Sequence, residues 1–166
     1  MKIGFIGLGN MATAIIGGLL REDTALSSED GNVTVITAAN IIGSAKTEAT
    51  RQKRAEQFGI AITASNREVA EAADVLVLAV KPQFFPEVIA EIRDAVSENT
   101  LVISIAAGLT LERIAGLFDR NVTAMRLIRC MPNTPALVNA GCTAVVPGPG
   151  ATEADEALCL RLMEAS

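Results

Sequence analysis

The sequence predicts an α/β fold, a doubly wound and mostly parallel sheet with helices on both faces, on three grounds. Strand-like and helix-like segments alternate almost from end to end of the 166 residues. Several strand-like segments, "DVLVLAV" (74–80) foremost, are apolar without alternation, as a strand must be when helices cover both sides of it. A glycine-containing turn also joins the first strand directly to the first helix. Strand–helix–strand repeats of this kind build parallel sheets through right-handed crossovers.

Residues 2–6 (KIGFI) read as a short buried strand, and beyond the glycines a helix runs from Asn10 to Arg21. "REDTALSSEDGN" (21–32) is polar and reads as a connection. "VTVIT" (33–37) is β-branched and is expected to be the second strand of the sheet. From Ala45 to Phe58 the chain is charged and helix-compatible, stopping at Gly59, a common helix terminator. "IAIT" (60–63) reads as a strand, and Ser65-Asn-Arg-Glu68 has capping-box spacing ahead of a short helix.

Lys81-Pro82 ends the strand 74–80, and "FFPEVIAEIRDAV" spaces its apolar residues as a helix does. "TLVISIA" (100–106) is another buried strand, ended by Gly108, and "TLERIAGLF" suggests a helix. "VTAMRLI" is expected as a sixth strand and "CTAVVP" as a seventh. "TEADEALCLRLMEA" starts acidic and carries an apolar stripe, as a final helix should. No repeat or linker divides the chain, so residues 1–166 are expected to form one domain.

Composition narrows the function. Half the residues are hydrophobic, yet no apolar run reaches the roughly 18–20 needed to span a bilayer. "MKIGFIGLGNM" is too rich in glycine and too short in apolar residues for a secretory signal, so a cytoplasmic protein with no membrane partner is expected. A net charge of −5 argues against a nucleic-acid surface. Cys130, Cys142 and Cys159 have no metal-type spacing and the chain has no histidine, so neither a disulfide framework nor a metal site is expected. The usual acid–base residue at neutral pH is also missing, so any chemistry must lean on a cofactor, a carboxylate, a lysine or groups outside this chain.

The glycine turn supplies the cofactor. Gly7-x-Gly9-x-x-Ala12 lies between strand and helix, the first glycine allowing the tight turn and the second letting a pyrophosphate approach the backbone. Ala12 permits close packing of helix on strand, and the helix N-terminus offers free N–H groups to phosphate. This is the dinucleotide turn of a Rossmann-type sheet; a mononucleotide P-loop is excluded by the missing G-K-[ST] ending. An NAD site commonly has an acid at the end of the second strand, but none occurs between Val33 and Lys46. Thr37, Asn40, Ser44 and Lys46 would not repel a 2′-phosphate, so NADP is expected, with NAD as second choice, unless this loop does not touch the ribose at all.

"LAVKPQ" (78–83), "SIAAGLT" (104–110) and "RCMPNTPA" (129–136) each follow a predicted strand, where open α/β sheets build their crevices. Together with "GFIGLGNMA" they resemble the pyrroline-5-carboxylate reductases, enzymes of the last step of proline biosynthesis, over essentially the whole chain. "GFIGLGNM" alone would fit 3-hydroxyisobutyrate-type dehydrogenases as well; "AVKPQ" and "MPNTPA" separate the two.

The resemblance implies NADPH-dependent reduction of a cyclic imine carboxylate to proline. It implies that Ile6, Gly7, Leu8, Gly9, Asn10 and Met11 form the pyrophosphate turn. It further places Asn66 near the adenosine ribose and Ala39 and Asn40 in the region of the 2′-phosphate, where "TAAN" departs from the Ser or Arg common in the family. Ala79, Val80, Lys81 and Pro82 would run beside the cofactor, and Ala106, Ala107 and Gly108 would meet its nicotinamide end. Met131, Pro132, Asn133 and Thr134 would floor the nicotinamide pocket, stiffened by prolines that fix φ. No residue is assigned a catalytic role: Lys81 is read as a strand-end lysine rather than a proton donor, and Arg126 and Arg129 either attract a substrate carboxylate or pair with a neighbouring acid.

Members of this family continue into an all-helical domain that forms the dimer and completes the substrate site. This chain is therefore expected to be the cofactor domain alone, binding NADPH with little or no turnover, and its last helix to expose Leu158, Leu160 and Leu162. Two other readings stand beside this one: a 3-hydroxyisobutyrate-type hydroxyacid dehydrogenase, and a non-catalytic NAD(P)-sensing module.

Overall fold

Successive residues of a strand point to opposite faces, and in the central strands of this sheet both faces are apolar and both are covered. The computed structural model describes residues 1–21, 25–27, 33–133, 135 and 141–165. In chain order the elements are β1 (Ile3–Ile6), α1 (Asn10–Arg21), β2 (Ala25–Ser27), β3 (Val33–Val35), β4 (Ile41–Ser44), α2 (Glu48–Phe58), β5 (Ala61–Thr63) and α3 (Asn66–Ala72). There follow β6 (Val75–Leu78), α4 (Phe85–Ile92), β7 (Leu101–Ser104), α5 (Leu111–Leu117), β8 (Leu127–Pro132), β9 (Thr143–Pro147) and α6 (Glu153–Glu164).

Seven strands form one sheet in the order β5-β4-β1-β6-β7-β8-β9. All neighbours are parallel except β9, which returns antiparallel to β8. On one face Ile3, Phe5, Val77, Ile103 and Ile128 pack with Ile15, Ile16 and Leu19 of α1 and with Cys159 and Leu162 of α6. On the other, Ile6, Leu76, Leu78, Val102 and Leu127 pack with Val69 of α3, Phe85, Ile89 and Ile92 of α4, and Ile114 of α5. The doubly wound fold with helices on both faces is thus the one the sequence predicts.

The largest departure concerns the second strand of the sheet. "VTVIT" does contain a strand, β3, but it pairs only with β2 inside the stretch read as a polar connection, and the two make a separate antiparallel pair. The main-sheet neighbour of β1 is β4, "IIGS". Gly43 makes that segment look poor for a strand, yet a Cβ there would come within 2.8 Å of the Leu8 side chain. Tertiary packing selects IIGS over the stretch with higher β-propensity.

Smaller shifts follow local chemistry. The helix expected from Ala45 begins only at Glu48, because the Thr47 side chain caps it by accepting from the Thr50 N–H. The sixth strand starts later than "VTAMRLI", since Asn121 caps a short turn over Val122–Ala124. In α6 Leu162 is buried and Leu158 half-buried, so of the three leucines expected on the surface only Leu160 is exposed.

Candidate functional site

In an open α/β sheet the crevice lies where the chain leaves the central strand in two directions. Here that point is β1, with β4 on one side and β6 on the other. A crevice of about 630 Å³ opens at their carboxyl ends, lined among others by Gly7, Leu8 and Gly9, by Ser44 to Thr47, by Asn66, and by Ala79 to Lys81.

The two glycines of the turn are there for different reasons. Gly7 has φ +93°, and a Cβ on it would lie 2.9 Å from Val80 Cγ1 and 3.0 Å from the Ala79 carbonyl oxygen, so both conformation and packing demand glycine. Gly9 is outside the left-handed region, and a Cβ there would meet no protein atom within 4 Å. Nothing in the protein requires glycine at position 9; what it leaves is open space against the backbone, the cradle a pyrophosphate needs.

α1 continues the argument. Its first intrahelical bond runs from the Thr13 N–H to the Gly9 carbonyl at 2.9 Å, so the amides of Asn10, Met11 and Ala12 precede the ladder. The other five α-helices each carry an acidic residue in the first turn, whereas α1 carries none. Its positive end is left without an internal counter-charge, and it faces the crevice through the glycine turn.

The loop after β4 forms the cationic end of the crevice. Lys46, Thr47, Thr50 and Arg54 line it together. Arg51 fixes this loop by donating to the carbonyls of Ala45 at 2.8 Å and Lys46 at 3.0 Å. Arg54 reaches across to the Leu8 carbonyl at 3.4 Å. Nearby the buried Ser44 hydroxyl donates to Asn66 Oδ1 at 2.7 Å, and the Asn66 amide donates to Glu91 Oε2 at 2.9 Å. Asn66 is thereby held in one orientation between β4 and α4.

The structure gathers most, but not all, of the residues expected at the site. Gly7, Leu8, Gly9, Asn66, Ala79, Val80 and Lys81 line the crevice, with Ile6, Asn10, Met11 and Pro82 adjoining them in the chain. Ala39 and Asn40 are a correction. They precede β4 at the opposite edge of the sheet, where the Ala39 carbonyl accepts from Lys2 Nζ at 2.6 Å and Asn40 donates to the Met1 carbonyl at 3.1 Å. Ala106, Ala107 and Gly108 follow β7 at the carboxyl edge, outside the crevice lining. Met131 and Pro132 belong to β8 and pair with Ala144 and Thr143 of β9, so the stiff segment starts as strand rather than loop. Asn133 Oδ1 accepts from the Cys142 N–H at 2.9 Å, and Thr134 lies outside the described residues.

The residues that sequence reasoning passed over, Thr47, Thr50 and Arg54, became visible only once β4 was known to end at Ser44. Their signal was the run Lys46-Thr47…Arg54 with no acid facing the crevice, masked by reading Ala45 as the start of the helix.

No cluster of three His, Cys, Asp or Glu residues that could hold a metal occurs among the described residues, and none of their helices is long and apolar enough to cross a membrane. Cys130 and Cys159 are buried with sulfurs 3.3 Å apart, and their hydrogen bond together with burial pushes the Cys159 thiol well up.

Residues 2–108 match the family described as NADP oxidoreductase, coenzyme F420-dependent. The chain belongs to that family. It is 42% identical over 161 residues to a pyrroline-5-carboxylate reductase of Escherichia coli K12, covering 97% of this chain and 55% of the relative. A solved pyrroline-5-carboxylate reductase from Coxiella burnetii superposes with a TM-score of 0.85 at 34% identity, covering 99% of this chain and 56% of the other. A pyrroline carboxylate reductase from Plasmodium falciparum, solved with NADP bound, has the same fold, with a TM-score of 0.73 at 24% identity over 99% of this chain and 55% of that one. The chain spans about half the length of the relatives it matches.

Proposed function

We propose that residues 1–166 are the dinucleotide-binding unit of an NADPH-dependent pyrroline-5-carboxylate reductase, acting in the cytoplasm on a small cyclic imine carboxylate, with neither nucleic acid nor membrane as partner. The observation that carries this reading is that the likeness to such a reductase covers 97% of the chain. The chemistry supplied by bound NADPH is hydride donation to the imine carbon, with proline as product once the nitrogen is protonated.

The chain's own residues hold and orient. The amides of the first turn of α1 and the open backbone at Gly9 receive the diphosphate. Lys46, Thr47, Thr50 and Arg54 receive the 2′-phosphate, which selects NADP over NAD, and Asn66 steadies the adjacent ribose. Ala79 to Pro82 run beside the cofactor, while Ala106 to Gly108 and the segment Met131 to Thr134 attend its nicotinamide end. In this reading the length of the relatives that this chain does not span supplies a helical domain that forms the dimer and completes the substrate site, and residues 1–166 alone bind NADPH with little or no turnover.

The test is loss of NADPH absorbance, with and without pyrroline-5-carboxylate, using the longest chain the gene encodes. Substrate-dependent oxidation is expected. NADPH binding without turnover would overturn the reductase assignment and leave only the cofactor site.

A further inference from the structure

Two arginines stand three residues apart, Arg126 just before β8 and Arg129 within it, and their surroundings differ completely. Arg126, at the amino end, donates through Nε to Asp155 Oδ2 at 3.0 Å, through a terminal nitrogen to Asp155 Oδ1, and through the other to the Asn99 carbonyl at 2.6 Å. Arg129, level with the carboxyl end of β7 through its pairing with Ser104, is half-buried, and its Nε is buried with no hydrogen-bond partner among the described residues. A buried donor left unpaired is costly, and a buried cationic one more so. Such a group calls for an acceptor that the described residues do not supply.

The register says where that acceptor would sit. Ser44 pairs with Ile6, Ile6 with Leu78, Leu78 with Ser104, and Ser104 with Arg129. Four strand spacings of about 4.8 Å put Arg129 roughly 19 Å along the carboxyl edge from Ser44. Lys46 and Arg54 stand at the Ser44 end. Arg129 is therefore the cation at the far end of the same edge, beside the strand that leads into Ala106 to Gly108. Its neighbours Ile128 and Cys130 point into the core shared with α1 and α6. Arg129 thus points, like Leu127, to the face covered by α5.

We propose that Arg129 is a carboxylate-binding residue at the reacting end of the site, its buried Nε and one terminal nitrogen gripping both oxygens of a single carboxylate. A planar guanidinium edge matches a carboxylate in this two-pronged way, which an ammonium does not. The proposal rests on the reductase reading, in which the substrate is a carboxylate and the nicotinamide lies at this end. Two sources share the chemistry: the substrate's own carboxylate, or an Asp or Glu side chain from the part of the relatives' length that this chain does not span.

The test compares wild type, Arg129→Met and Arg129→Lys in the longest chain the gene encodes. It reads kcat/KM for pyrroline-5-carboxylate and for 1-pyrroline, the same imine without its carboxylate, together with Tm and the Kd for NADPH. Arg129→Met is expected to lower kcat/KM for pyrroline-5-carboxylate roughly ten- to a hundredfold. Arg129→Lys should lose less, and NADPH affinity should hold in both. Loss confined to pyrroline-5-carboxylate assigns the carboxylate to the substrate; equal loss on both imines with a lower Tm assigns it to a side chain. Unchanged kinetics and Tm in Arg129→Met would overturn the proposal. Should Arg129→Met not melt cooperatively, Arg129→Lys carries the same comparison. A wild-type chain that turns over no pyrroline-5-carboxylate defeats the reductase reading instead, and the Tm of the variants still decides whether Arg129 meets a carboxylate.

Discussion

The two edges of the sheet carry similar polar residues and use them in opposite ways. At the amino edge, Lys2 donates its ammonium to the Ala39 carbonyl and its N–H to Asp74, Thr100 donates to the Ala73 carbonyl, and Arg126 is spent on Asp155 and Asn99. At the carboxyl edge, among the described residues, a Cβ at Gly9 would meet no neighbour within 4 Å, the first turn of α1 has no acid, and Arg129 has a buried nitrogen without a partner. Residue type does not distinguish the two edges. Unmet bonding capacity does, because a buried polar group left open by the protein is either a cost or a place for something else.

Variants at the amino edge should therefore change stability and leave NADPH affinity alone. Arg126→Met should give the largest effect. It strands Asp155, which is only 1% exposed, and removing one partner of such a pair costs about 3 kcal/mol or more. In a chain of 166 residues that lowers Tm by roughly 6–12 °C. Thermal melts and fluorescence titration with NADPH check both halves; a collapse of NADPH affinity at temperatures where the variant is folded would erase the contrast between the edges.

The same pair sets an acid limit. Burial works against the charged form of Asp155, but hydrogen bonds and charge from Arg126, together with the Thr152 N–H, outweigh it and hold the carboxyl below its ordinary value. A group whose pKa is lower folded than unfolded stabilises fully above the unfolded value, near pH 4, and loses that stabilisation as pH falls through the folded one. Unfolding measured from neutral pH downward should therefore show declining stability below about pH 4. Asp155→Asn should be less stable at neutral pH and show a shallower decline. An unchanged slope in that variant would mean other carboxylates dominate. The effect is smaller than that of Arg126→Met because a protonated Asp155 still accepts from Arg126.

How much of this was readable beforehand follows the same line. The buried strands β1, β6 and β7 were plain because helices on both faces force continuous apolar runs. The glycine turn was plain because Gly7 and Gly9 stand at fixed spacing between strand and helix, Gly7 in a left-handed conformation and Gly9 against open space. β4 was not, because Gly43 is there for Leu8, a contact from another element that no local propensity records. Misplacing β4 carried Ala39 and Asn40 to the wrong edge and hid Thr47, Thr50 and Arg54. Arg126 and Arg129 look alike in sequence; only Asp155, 29 positions away from Arg126, tells them apart.

Gly9→Ala tests the carboxyl edge with effects of opposite sign. The residue is outside the left-handed region and a Cβ meets nothing, so alanine should stabilise the fold by about 0.4–1 kcal/mol through the unfolded chain. The methyl group would then occupy the space against the backbone where the diphosphate approaches, and NADPH affinity should fall on the order of tenfold or more. A variant that is more stable and binds NADPH normally would show that the open space at position 9 serves no ligand.

Lys46→Ala should give the smallest effect and the finest resolution. The side chain is exposed and lines the crevice beside Thr47, Thr50 and Arg54. An exposed, screened charge contributes modestly, so NADPH binding should weaken only roughly fivefold. Because the 2′-phosphate is the sole difference between the two dinucleotides, NADH binding should not change. The salt dependence of NADPH binding should also flatten, since one charge contact is gone. Adding Arg54→Ala should deepen the loss for NADPH alone. Equal weakening of NADPH and NADH would mean that Lys46 reaches the diphosphate shared by both, which would leave the turn at Gly9 and the loop after β4 acting on the same group rather than on opposite ends of the dinucleotide's adenosine half.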